Sequence, residues 1–87
     1  MTIERFQRYT AKVTPRPEYR GMTMKPEAAT IAGEVHQFRA MWLESDSAKY
    51  PGEWVFEPVD RAAQERYGQL GLAWLAQGDL TIMEDAP

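Results

Sequence analysis

The chain has no cysteine and a single histidine, His36, among its 87 residues. The first absence excludes disulfide staples, thiolate metal sites and thiol nucleophiles, and it fits a reducing compartment. No apolar run approaches the roughly 18 residues a membrane-spanning helix needs. The opening MTIERFQRYT lacks the apolar core of a secretory signal, so a cytoplasmic location is expected. Glycines stand at 21, 33, 52, 68, 71 and 78. They form neither a dinucleotide fingerprint nor a Walker loop, which removes those two phosphate cradles. Internal repeats, linkers and low-complexity tracts are also missing.

What the chain has in quantity is aromatic surface: three Trp, four Tyr and three Phe. A single domain over residues 1–87 is expected at this length. Such a domain buries only about 60–65% of the surface its unfolded chain exposes, so large side chains must carry the core. Charge is unevenly spread. Residues 1–26 carry six basic side chains (Arg5, Arg8, Lys12, Arg16, Arg20, Lys25) against Glu4 and Glu18, whereas residues 27–87 carry four basic against eleven acidic, for a net −3 overall. The two parts are expected to attract when the N-terminal segment packs on the body, or to present a basic and an acidic face to partners.

Hydrophobic period assigns the elements. Residues 3–14 read as a strand, with Tyr9, Ala11 and Val13 alternating with Arg8, Thr10 and Lys12; the prolines at 15 and 17 end it. Glu18–Gly21 reads as a turn and Met22–Lys25 as a short strand or an extended arm. Residues 27–44 fit two patterns. Ala28, Ile31, Val35, Phe38 and Trp42 make a helical stripe, but Gly33 would interrupt it, and strand is preferred: Thr30–Ile31, an Ala-Gly turn, then Val35–Glu44. Phe38, Ala40 and Trp42 then share one face, and Trp54 and Phe56 share one face of a second strand across the Ser45–Gly52 loop. A hairpin with Trp42 close to Trp54 follows. Asp60 suits a helix N-cap, and a helix is expected over about residues 60–77, with Ala63, Tyr67, Leu70 and Trp74 on its buried stripe and Gly78 just past its end. Leu80 and Ile82 make a last strand. The fold class is α+β: a small, β-rich antiparallel sheet or SH3-like open barrel with one C-terminal helix.

Chemistry is harder to find. His36 has no nucleophile elbow near it, and Glu34 with His36 supplies two ligands on one strand face without an obvious third. No catalytic residue, metal or cofactor is assigned, and the chain is expected not to be an enzyme. The leading expectation is a protein-binding or regulatory domain, the type of chain found among regulators, adaptors and phage or mobile-element proteins that block a host machine. Its partner surface is assigned to Tyr50, Trp54, Arg39, Trp42 and His36, because aromatics and arginine dominate binding hot spots. A small-molecule site with an aromatic wall of Trp42, Trp54 and Tyr50, and Arg39 or His36 as polar contact, is one alternative. Single-stranded nucleic acid on Arg5, Arg8, Tyr9 and Lys12 is another, disfavoured by the acidic pI near 5.1. A homodimer through an exposed edge strand is also compatible with this size.

Overall fold

The structure is a computed structural model that describes residues 2–16, 30–45 and 51–83. Five strands form one antiparallel sheet in the order β4-β3-β2-β1-β5. They are β1 (Arg8–Val13), β2 (Val35–Leu43), β3 (Trp54–Pro58), β4 (Leu75–Ala76) and β5 (Leu80–Ile82), with helix α1 (Arg61–Gln69) between β3 and β4. The two edge strands are consecutive in the chain, separated only by the 3₁₀ turn Gln77–Asp79. A three-residue turn can join opposite edges only if the sheet curls on itself. The result is the SH3-like open barrel with one helix.

The core lies inside the curl. Tyr9, Ala11 and Val13 of β1, Phe38 and Ala40 of β2, and Phe56 of β3 pack with Ile31, Tyr67, Leu75 and Leu80. Tyr9 meets Phe56 edge to face at 6.1 Å between centroids. Val35–Leu43 is a strand after a turn at Gly33, as the glycine argument required, but Thr30–Ile31, expected as a strand, is part of a 3₁₀ turn that leads into it: Gly33 has φ 85°, its N–H donates to the Val13 carbonyl, and the Val13 N–H donates to Glu34. The β2–β3 hairpin forms as read. Gly52, also at positive φ, helps reverse its loop, while the expected arm at 22–25, the turn at 18–21 and Tyr50 lie outside the described residues.

Three further expectations fail, each for a local reason. Strand β1 begins at Arg8 rather than residue 3, because Glu4–Gln7 make a turn (Gln7 N–H to Glu4 O, 3.2 Å) with Phe6 at φ 67°. The period of two breaks inside β2. Ala40 faces Phe56, but Trp42 faces Val55, so Met41 is an extra residue in a β-bulge.

The helix also stops eight residues early. Asp60 is its N-cap, accepting from the Ala63 N–H at 3.0 Å. Its end is a Schellman motif: Gly71 has φ 75°, the Leu72 N–H donates to Tyr67 O at 2.8 Å, and the Gly71 N–H donates to Gly68 O at 3.0 Å. Gly71, not Gly78, is the cap, so Trp74 is not on the helix. Gly68 has open space where a side chain would stand, so no close approach explains it. Gly71→Ala is expected to lower stability by about 1 kcal/mol, read as a fall in Tm of roughly 4–8 °C; Gly68→Ala is expected to raise it slightly.

Candidate functional site

The outer face of the sheet is built by strand alternation. With Tyr9, Ala11 and Val13 in the core, Arg8 and Lys12 point outward and are exposed. Arg8 stands opposite Arg39, Thr10 opposite Gln37, and Lys12 opposite Val35. Arg39 in turn faces Glu57 in β3, with a long ion pair at 3.7 Å. Cross-strand partners share a face. The bulge therefore transfers Trp42 from the Phe38–Ala40 face to this outer one, in line with Val55 and Ala76. There the Trp42 ring meets Trp74 at 5.0 Å, tilted 58°. Trp74 is 50% exposed. The bulge also has backbone consequences: the Met41 carbonyl accepts from Arg5 Nε at 2.8 Å, and the Ala40 carbonyl accepts from the Phe6 N–H. Arg5 and Phe6 are thereby held beside the bulge, the guanidinium 4.7 Å above the ring.

On the inner side, a polar cluster joins α1 to the sheet. Glu34 takes a hydrogen bond from the Tyr67 hydroxyl at 3.0 Å, a two-pronged contact from Arg66, and a contact with His36 Nε2 at 2.9 Å. The spacing of two placed Glu34 and His36 on one side, as expected. Their neighbours are a guanidinium and a phenol rather than further ligands, which makes the group a structural hub. Partial burial acts to raise the Glu34 pKa; bonds from Arg66, His36 and Tyr67 outweigh it and hold the carboxyl below its ordinary 4.5.

A second cluster closes the barrel. Arg16, just past β1, donates to Glu53 through Nη1 at 2.9 Å and through Nη2. Its Nε reaches Asp79 Oδ1 at 3.2 Å, and its backbone N–H reaches the same oxygen at 3.1 Å. Glu53 also accepts from the Gly78 N–H at 2.7 Å. One guanidinium thus ties the start of β3 to the turn between β4 and β5. The Arg16 hydrogen bond lowers the Glu53 pKa, and the same bond raises that of Arg16.

These two lowered carboxylates set an acid limit. Near pH 4.5 the unfolded chain begins to take protons that folded Glu34 and Glu53 still refuse. Their stabilisation is complete above that pH and is lost as pH falls through their lower folded values. Urea midpoints should therefore drop as pH falls below 4.5, and drop less in a Glu34→Gln, Glu53→Gln variant. Equal slopes would remove both carboxylates from the acid response.

No family model, curated protein or solved structure matches the chain.

The site must therefore be judged on its own geometry. The sheet divides the residues assigned from sequence. Trp42 and Arg39 lie on the outer face; His36 and Trp54 lie inside, His36 edge-on to Tyr67 at 5.8 Å and Trp54 against the core. Trp42 and Trp54 occupy neighbouring rungs on opposite faces, so the expected aromatic wall does not form from them. Tyr9, placed in the nucleic-acid set, is buried, and its hydroxyl accepts from the Glu4 N–H at 2.8 Å. Sequence reasoning missed Trp74 as a surface residue, and it met Phe6 only as one of the aromatics interleaved with cations along the N-terminal strand. Gly71 as a helix stop would have released Trp74 from the helical stripe. The turn that exposes Phe6 carried no signal, because it has no glycine, proline or asparagine.

Proposed function

We propose that the chain is a non-catalytic protein-binding domain that docks its partner on the outer face of the sheet, over Trp42 and Trp74. The observation that carries this reading is the Trp42–Trp74 pair, in tilted contact at 5.0 Å with Trp74 half in solvent. Tryptophan is the residue most enriched in binding hot spots, and arginine rims such as Arg39 and Arg8 accompany it. A domain this small has little apolar area to spare, yet it leaves Trp74 outside the core while burying Ala11 and Ala40. Regulators, adaptors and phage-type inhibitors of a host machine are the kinds of protein that fit.

Immobilised wild-type protein and Trp74→Ala, exposed to a lysate of the source cell, test this. Wild-type should retain at least one protein that the variant loses, with affinity lowered by about thirtyfold or more, as a hot-spot loss of about 2 kcal/mol implies. Equal recovery on both, or none on either, overturns the reading. A second copy of the chain is the alternative occupant. It would show as a dimer of wild-type and a monomer of Trp74→Ala in sedimentation over a concentration range.

A further inference from the structure

The described cations fall into two groups. Arg16, Arg39, Arg61 and Arg66 each form a salt bridge with a carboxylate. Arg5, Arg8 and Lys12 form none among the described residues. These three lie together on the N-terminal segment and the outward side of β1. Arg8 directly faces Arg39, a like-charge pairing that a sheet normally avoids. Phe6 stands in the same stripe, 57% exposed and in the left-handed region at φ 67°. Bulky residues seldom sit there, and such outliers gather at functional positions. Here the outlier is pinned by the Ala40 carbonyl, with Arg5 laid over its ring.

We propose that Arg5, Phe6, Arg8 and Lys12 receive an acidic, extended polypeptide segment. Carboxylates of the partner answer the three cations, and an apolar side chain seats on Phe6 beside the bulge that carries Trp42. This rests on the outer-face docking reading and specifies the chemistry of its occupant. From Arg8 to Lys12 the strand rises about 13 Å, so a partner that meets both must be extended rather than a single compact anion. Charge complementarity of this kind sets partner choice and association rate.

A peptide fits better than a nucleic acid. Glu57 stands in the same row as Arg8 and Arg39. Tyr9 is buried, and the Trp42 and Trp74 rings cover one another at a tilt. Successive bases would need open aromatic faces.

The test is selection of a random phage-displayed library of peptides about a dozen residues long on three proteins: wild-type, Trp74→Ala, and the triple variant Arg5→Glu, Arg8→Glu, Lys12→Glu. All replaced side chains are exposed, and thermal melts confirm folding. Wild-type should enrich peptides dense in Asp and Glu around an apolar residue. Synthesised, these should bind the triple variant on the order of tenfold or more weakly and lose affinity with added salt. Neutral or basic peptides that depend on Trp74 would overturn this inference and leave the docking reading standing. Enrichment indifferent to Trp74, or no enrichment, would overturn both. A short oligo-deoxythymidine that binds wild-type more tightly than the acidic peptides, and fails on the triple variant, would replace the peptide with nucleic acid.

Discussion

Replacing Arg16 with alanine is expected to cost about 3 kcal/mol, enough to lower Tm by more than about 10 °C in a domain of this size. Most protein ion pairs contribute far less, and the contrast within this chain shows why. Arg61 and Glu65 are an exposed helical pair at 3.7 Å, surrounded by solvent and screened by salt, and Arg61→Ala should leave Tm unmoved. Asp79 is buried. Removing Arg16 leaves its carboxylate without the guanidinium, while Glu53 loses its two-pronged contact. Partial exposure of Glu53 keeps the cost at the low end for a broken buried pair.

Gly78→Ala reaches the same interaction from the other side. A Cβ at residue 78 would occupy the position of the Arg16 guanidinium. The tip of a flexible side chain can swing away, so the backbone survives and only the clasp is lost. Gly78→Ala should therefore destabilise by much of the Arg16→Ala value, and the double variant should be no less stable than Arg16→Ala alone. Additive costs would show that Gly78 acts elsewhere. Hydrogen exchange should place the loosening in β5, whose pairing to β1 covers only Ala11–Val13.

The sequence made the sheet legible wherever local signals agreed with tertiary needs. Tyr9, Ala11 and Val13 alternate and are buried; Asp60 caps; Leu80 lies where the last strand was expected. The failures come from features with no period of their own. A β-bulge inserts one residue without changing composition, so nothing in Phe38–Leu43 announces that Met41 is extra. Gly68 and Gly71 look alike along the chain, yet only the second adopts positive φ. The Arg16–Glu53–Asp79 clasp joins residues 37 and 63 positions apart, a separation that only the curl of the sheet makes short. The outer-face reading follows from the same two irregularities. The bulge turns Trp42 outward, and the early helix stop delivers Trp74 to it.

Tyr67→Ala should cost about 4 kcal/mol, the value for deleting a buried aromatic ring, and Tyr67→Phe only about 1 kcal/mol. Tyr67 has no exposed surface and packs on Phe38 at 6.5 Å and His36 at 5.8 Å. The phenylalanine variant keeps those contacts and gives up one hydrogen bond to Glu34, which still has Arg66 and His36. Burial and the Glu34 carboxylate raise the Tyr67 pKa well above the ordinary phenol value, so at neutral pH the hydroxyl is a donor to an ionised Glu34. The alanine variant does more than open a cavity. Helix α1 has nine residues, short of the roughly 12–15 an isolated helix needs in water, and only Ala63 and Tyr67 are its buried anchors. Without the ring, α1 should melt and its cap at Gly71 with it, freeing the segment that holds Trp74 against Trp42. Tyr67→Ala is thus expected to lose helical circular dichroism and to shift tryptophan emission to the red, while Tyr67→Phe retains both. Helix loss with unchanged tryptophan emission would show that β4 alone positions Trp74, and the proposed docking face would then be independent of the helix.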